Sequence, residues 1–447
     1  MKINALKIIL LFYFVCVGCK KNINEPSEST NESLFPYKNY SIGDDGNLIF
    51  SEMSVDDFQP ASDCAECHQT HVNEWEMSPH GRSLTNKFFN NCLNDVIEEY
   101  GDEFQKVCFQ CHTPANLIAT PSISGNSPQV GLSCDICHTM TQTSNGTVTS
   151  PNRLVTNKYY LNPGEGIKYG PIENPEPNIN HESQYNPIFS QSQICLPCHD
   201  LRNEELETEI TFTEWNRIPG LAMSGTAPCQ QCHMQEKEDG THSHHFAGVD
   251  LSYEVTPEDD PQYENVLELI QTSANLSFQN SDGNLGDSII RDSILVIPVQ
   301  VESTNGHDLP SGTSFNRDCW LSIEIRSENS SGEILYQSGV LDHYLQLLNY
   351  SDSELTFFTS FLITEYGDTT NDIFKADDII NYSLPGMSKK NVEYSFHIDE
   401  SINQIWVSAK LLFRPIKPYL FNEYPELQVN IPIYTIDEIE KNIQIIN

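Results

Sequence analysis

The chain is short of positive charge. It has 24 Lys and Arg against 63 Asp and Glu over 447 residues, a formal net charge of −39. A surface of that sign cannot neutralise phosphates, which excludes nucleic acid as a partner. It keeps the protein soluble and favours cationic partners. Long apolar runs are also lacking: after residues 8–17 no stretch is long enough to span a bilayer. Residues 56–250 have little apolar periodicity and no close internal repeat. Only Gln69 to Asn86 and Asn91 to Phe104 read as helices there, and the rest is Pro-, Gly- and Asn-rich loop. So little regular structure does not offset the entropy of ordering a chain, so this half needs an apolar core from outside the polypeptide and is expected to be disordered without it.

The N-terminus is read as an export signal. Two lysines in residues 1–7 precede the apolar run Ile8 to Val17, which reads as a signal peptide over 1–18. It ends in Cys16-Val17-Gly18-Cys19, which resembles the lipobox of bacterial lipoproteins and makes Cys19 the expected site of a membrane-anchoring lipid. Leu is usual where Cys16 stands. Residues 19–55, rich in Asn, Ser, Glu and Pro, read as a flexible tether.

Fourteen cysteines are too many for an ordinary cytosolic enzyme. Ten of them fall into five Cys-x-x-Cys-His signatures: Cys64/Cys67/His68, Cys108/Cys111/His112, Cys134/Cys137/His138, Cys195/Cys198/His199 and Cys229/Cys232/His233. Two thiols at this spacing add across the two vinyl groups of one haem, and the imidazole that follows is placed under the iron as proximal ligand. Five signatures imply five covalently attached c-type haems. Paired Cys-x-x-Cys units also build zinc sites, but zinc needs no His directly after every second Cys, and five pairs is an odd number. Outside the leader and the lipid candidate, Cys92 and Cys319 remain, as a disulfide or as two free thiols.

Nine histidines lie outside the signatures: His71, His80, His181, His242, His244, His245, His307, His343 and His397. Five low-spin haems need five distal ligands. The segment His68-Gln-Thr-His-Val-Asn-Glu-Trp75-Glu-Met-Ser78-Pro-His80 resembles the opening of many bacterial multihaem cytochromes c, relatives of the nitrifiers' tetrahaem cytochrome. The resemblance continues through Gly131-Leu-Ser-Cys134, His181 ahead of Ser192-Gln-Ile-Cys195, and Cys229 to Met234 followed by Ser243 to Gly248. It ends at Asn305-Gly-His307-Asp-Leu-Pro310-Ser-Gly312, which looks like an element of the β domain that follows. It spans residues 60–420 and implies His80, His181, His244 and His307 as distal ligands. His242 and His245 compete with His244. For the fifth ligand the choice is between His71 and His242, with His71 placed in the set. His71 sits three residues after His68, on the same face if the segment is helical, so it would reach a neighbouring haem. His343 and His397 fall in strand-like stretches and read as structural. The methionines at 77, 140, 223 and 234 read as packing.

From Ser288 the pattern changes to period 2. Ser293 to Val301, Trp320 to Ile325, Glu333 to Tyr336, Leu355 to Phe358, Val392 to Phe396, Ile405 to Phe413 and Leu427 to Ile431 read as half-buried strands, with Trp320 and Trp406 in their core. The expected fold class is α+β: a mostly helical or irregular, haem-packed cytochrome domain over 56–255, a linker over 256–287 with one helix (Tyr263 to Ser273), and an antiparallel β-sandwich over 288–447.

The function expected from this is electron transfer along closely packed, mainly bis-His haems, in respiration or extracellular electron transfer. Redox partner proteins, other cytochromes among them, are the expected partners. The protein is placed outside the cytoplasm, lipid-anchored to the outer membrane. One alternative is a haem-dependent reductase with one open haem acting on a small nitrogen or sulfur oxyanion, since the resembled family includes nitrite and hydroxylamine enzymes. Against it, no Cys-x-x-Cys-Lys is present and all five signatures keep the same His. A second alternative is a subunit of a cytochrome filament, in which a homo-oligomer would supply the missing ligand.

Overall fold

The computed structural model describes residues 39–42, 48–51, 55–119, 131–149, 154–164, 166–203, 206–221, 227–280, 283–343, 345–349, 351–424, 427 and 430–447. The signal peptide, the lipid candidate Cys19, most of the tether and Met223 lie outside them.

Helix α1 (Ala61–Met77) contains the whole first signature and bends at His68, whose φ of −113° and ψ of 37° leave the helical region. Sequence periodicity suggests a helix over Gln69 to Asn86; the signature extends it toward the N-terminus, and it ends at Met77, where Ser78 turns the chain. Helix α2 (Lys87–Tyr100) starts where the Asn86 side chain accepts a hydrogen bond from the Phe89 amide, and it stops at Gly101, whose φ of +93° a side chain would disfavour. Helices α3 (Gln105–His112) and α4 (Pro114–Ala119) follow. Helices α5 (Cys134–His138) and α7 (Cys229–His233) are little more than the signatures they carry, with α6 (Thr211–Arg217) between them. The first half is less irregular than its composition suggests: strands Met140–Thr149 and Leu154–Leu161 pair antiparallel, Leu201–Asn203 and Leu206–Glu209 extend that sheet, and Ile167–Gly170 runs parallel to Glu182–Tyr185. None of these has the apolar alternation that marks a strand in sequence.

Helix α8 (Tyr263–Gln271) leads into a region of sheet. Strand Asp318–Ser327 is antiparallel to Gln404–Arg414, which is antiparallel to Tyr434–Ile446; the short strand Ser288–Ile290 joins the last in parallel, and Ile334–Ser338 pairs on the other side. A second sheet has Ile294–Ser303 between Lys389–His397 and Ala274–Ser277. The alternating residues of both sheets meet in one core that includes Ile297, Val299, Val301, Leu321, Ile323, Val407 and Leu411. Trp320 is fully buried beside Leu347 and Leu412, and its Nε1 donates to the Gly339 carbonyl at 2.9 Å. A Cβ on Gly339 would lie 2.1 Å from the Leu321 carbonyl, so this position takes only glycine. Trp406 is 7% exposed. The strand that completes the ladder with 404–414 is Tyr434–Ile446; the strand expected over Leu427 to Ile431 lies partly outside the described residues. One expectation needs correction: His343 sits in an exposed turn rather than a strand.

Residues 34–447 cluster as one compact unit. Helix α2 and the strands beyond residue 350 are joined by Tyr100, Phe104 and Phe374, whose rings pack at 5.1–5.4 Å, by a hydrogen bond from the Tyr100 hydroxyl to Asp372, and by a Lys375–Glu99 ion pair at 3.1 Å. Arg82 reaches Asp260 at 2.9 Å. No described helix is long and apolar enough to cross a membrane.

Candidate functional site

The local folding of residues 75–83 shows why a Trp and a Ser precede His80. The Trp75 indole donates to the Leu132 carbonyl at 2.8 Å and ties α1 to the loop before the third signature. The Ser78 hydroxyl donates to the Trp75 carbonyl at 2.6 Å and accepts from the Gly81 amide at 3.1 Å. That turn folds the chain back so tightly that a Cβ on Gly81 would sit 2.2 Å from the Trp75 carbonyl. His80 is thereby turned inward, where burial pulls its imidazole down to about 3. Ser83, the next residue but two, donates to the His112 carbonyl at 3.0 Å and accepts from the Leu132 amide at 3.0 Å, linking the second and third signatures.

Four imidazole pairs then emerge. His68 faces His181 with ring centres 6.4 Å apart, His80 faces His199 at 6.3 Å, His138 faces His244 at 6.5 Å, and His233 faces His307 at 6.3 Å. Each pair joins one signature histidine to one histidine from elsewhere in the chain. The spacing is what two imidazoles on opposite faces of one iron require: metal–nitrogen bonds of about 2 Å on each side, plus about 1.2 Å from nitrogen to ring centre, give roughly 6.4 Å.

The ring nitrogens are oriented for this. His112 Nδ1 donates to the Ser83 carbonyl at 2.9 Å, His138 to Tyr169 at 2.8 Å, His233 to Ala247 at 2.6 Å, His244 to His242 at 2.9 Å and His307 to Asp308 at 3.0 Å. A carbonyl only accepts, so Nδ1 carries the proton and Nε2 keeps its lone pair for a metal. Burial lowers His233 and His244 to about 4, holding them neutral as ligands must be. His199 differs. Its Nδ1 lies 3.9 Å from a Glu209 carboxylate oxygen, an ion-pair rather than a hydrogen-bond distance. Burial pulls His199 down, but Glu209 outweighs it and the ring is raised to about 9. The ring is 49% accessible. The paired imidazoles and the signature thiols beside them together fit a covalently held planar macrocycle. All ten signature cysteines are free, and among the described residues no group of three or more His, Cys, Asp or Glu is placed to hold a bare metal ion.

Two placements differ from expectation. His71 is not brought opposite a signature histidine that lacks a partner. It lies 6.1 Å from His68 on the same helix and 4.7 Å from His244, which already faces His138; 4.7 Å leaves no room for an iron between the rings. His112 is the remaining signature histidine. Among the described residues, which include all fourteen histidines, no imidazole faces it, and its ring stacks on Phe89 at 3.8 Å and 8°. His242 and His245 donate to or accept from Met234 and Gln262 instead. His397 lies 3.5 Å from Asp292 at the exposed end of its strand. Cys92 and Cys319 form no disulfide: Cys319 is buried in the sheet core, and the Tyr424 hydroxyl is 3.8 Å from Cys92. Sequence reasoning missed Glu209 and the stacking aromatics Phe89 and Phe189, since no motif spacing marks them.

Thiols of different signatures lie close enough to perturb one another: Cys64 and Cys134, Cys195 and Cys229, and Cys198 and Cys111; Cys111 Sγ is 4.0 Å from the Cys198 carbonyl. Cys137 is close enough to Cys198 for the two to interact electrostatically.

Cys-x-x-Cys-His sets and paired imidazoles in a helical half, followed by antiparallel sheets, are the arrangement expected of a multihaem c-type cytochrome. Residues 63–139 match the family model described as cytochrome c554 and c-prime. Among solved structures, a penta-heme cytochrome c552 from Thermochromatium tepidum is similar with a TM-score of 0.62 at 19% identity, over 88% of this chain and 100% of that one. The family match and this shared fold support placing the chain in a multihaem cytochrome c family. A sporulation control protein, Spo0M from Bacillus subtilis, aligns over 39% of this chain and 50% of its own at 8% identity, but its TM-score of 0.14 carries no argument. No curated protein matches the chain.

Proposed function

We propose that the protein is an exported, lipid-anchored pentahaem cytochrome that transfers electrons through four bis-His haems and a fifth, held by His112, whose other axial position no histidine of this chain fills. The ten signature cysteines would hold the haems. His68 and His181, His199 and His80, His138 and His244, and His233 and His307 would be the axial pairs. The observation that carries this reading is the four imidazole pairs at 6.3–6.5 Å.

Bound haems supply one-electron iron couples, and two imidazole ligands close an iron to substrate. The chain supplies spacing and orientation. Proximity of thiols of the first and third signatures, the third and fourth, the fourth and second, and the fourth and fifth would set the attachment sites near one another. The fourth signature is then a junction, and the site of His112 is one of its branches. Residues 274–446 read as an antiparallel sandwich that covers one end of this array and contributes His307. Haem-to-protein stoichiometry by pyridine haemochrome, with electron paramagnetic resonance of the oxidised protein, tests the proposal. Five haems with four low-spin centres are expected.

Among the described residues no imidazole stands 6.3–6.5 Å across from His112 as in the other four sites, and this favours a second reading. An open iron there would bind a small nitrogen or sulfur oxyanion, making the protein a reductase fed by the other four haems. A histidine from a second copy would fill the same position in a filament. Shift of a high-spin signal on adding nitrite or hydroxylamine separates the reductase from the carrier, and electron microscopy of native material separates the filament.

A further inference from the structure

We propose that the surface formed by residues 171–185 and the exposed side of the first signature is the docking site for a cationic redox protein. The inference rests on the haem reading above and adds the port through which electrons cross between proteins.

Three observations converge there. The segment carries His181, and its Asn180 amide nitrogen lies 3.7 Å from Cys67 Sγ, so it lies against the first signature. Cys67 and His68 are themselves exposed, which leaves a group attached there close to the surface. Second, the segment displays large apolar side chains: Ile172 is 66% exposed, Ile179 100% and Tyr185 43%. Isolated exposed apolar residues are ordinary, but here Ile179 stands two residues before His181, and Tyr185 and Ile172 lie at the far end of the strand pair that His181 leads into, so one short segment displays all three. Third, the rim is of one sign. Asp63, Glu66, Glu173, Glu176 and Glu182 are exposed around it. No Lys or Arg occurs in residues 39–81 or 169–201. The neighbouring Lys168 is spent on Asp135 at 2.5 Å, with 15% of its side chain exposed.

An apolar centre with an acidic rim suits a partner with the reverse arrangement: an exposed redox edge ringed by lysines. Complementary charge speeds encounter and fixes orientation more than it adds affinity, which suits a contact that must release after one electron. Small redox interfaces of this kind fall at the low end of interface size. A second copy of the chain is a poor occupant, because it would bring the same carboxylates.

The test is stopped-flow electron exchange between the holoprotein and a cationic mitochondrial-type cytochrome c at low and high ionic strength. Glu173→Lys with Glu176→Lys should slow the exchange at least tenfold at low salt and flatten its salt dependence, with haem content and spectra unchanged. Glu365→Lys with Asp368→Lys makes the same charge change on an exposed turn of the sheet region and should leave the rate within twofold. Ile179→Ser should slow exchange at high salt, where charge is screened. Equal loss in both double variants would assign the effect to the whole-molecule field and overturn the proposal, as would an unchanged rate in Glu173→Lys with Glu176→Lys. Dimers in sedimentation that this variant dissolves would give the patch to a second copy and also overturn it. Wild type purified without covalent haem would instead defeat the functional reading itself.

Discussion

The imidazoles of His233 and His307 lie 6.3 Å apart and 20° from parallel, although one ends the helix of the last signature and the other comes from a turn between strands. On the proposed reading, the sheet region would complete across this pair the site of a haem it does not attach. His307→Ala should therefore leave five haems bound, since the thioethers are untouched, and convert one low-spin centre to high-spin. Electron paramagnetic resonance of the oxidised variant checks this. His343→Ala, in an exposed turn, should change no haem signal.

Glu209 should set the potential of the haem at the fourth signature. His112, His138 and His233 donate to carbonyls, whereas His199 faces a carboxylate held in place by the Thr211 hydroxyl at 2.6 Å. A carboxylate behind a ligating imidazole makes it a stronger donor and favours ferric iron. Glu209→Gln should raise one of five midpoint potentials, by a tenfold change in equilibrium constant or about 59 mV for one electron, and leave the other four. Glu209→Asp should retain part of the effect. Spectroelectrochemical titration measures it, and a uniform shift of all five potentials would point to a structural role alone.

Lys417 gives the sheet region a pH signature. Burial lowers its ammonium to about 8 while its Nζ donates to the Ser360 carbonyl at 3.2 Å. A folded pKa below the unfolded value means the unfolded chain binds more protons between pH 8 and 10.5, so this group makes stability rise across that window. Below pH 8 the cost of the buried charge is fully present. The difference in melting temperature between Lys417→Met and wild type should favour the variant most near neutral pH and shrink as pH rises toward 10. A difference constant with pH would contradict the assignment.

The buried Asp318–Arg414 pair, with side chains 3% and 1% exposed and 2.5 Å apart, locks the central strands. Asp318→Asn leaves the Arg414 charge buried without its counterion and should cost about 3–5 kcal/mol, read as a lower midpoint in urea. Replacing both by apolar residues should cost much less.

What the sequence made legible was chemistry with fixed spacing. Cys-x-x-Cys-His spacing points to haem c, and the resemblance implied His80, His181, His244 and His307, whose rings lie 6.3–6.5 Å from signature histidines. The strands carrying Trp320 and Trp406 announced themselves because one face of each is buried. His71 misled because helical spacing from His68 says which side it faces but not which ring it meets. The strands at 140–161 stayed hidden because they lack apolar alternation, and the partner of His199 stayed hidden because contact between Glu209 and His199 is made by the fold, not by a motif.

The axial state of the iron at His112 tests the account most directly. The ferrous protein is titrated with carbon monoxide while haem is counted, and the oxidised protein is examined by electron paramagnetic resonance. An open iron at His112 gives five haems, one carbon monoxide per chain and one high-spin centre; replacing His112 adds no further carbon monoxide or high-spin centre, whereas replacing any other signature histidine adds one of each. Five low-spin haems that bind no carbon monoxide in the monomer, or fewer than five haems, would contradict it.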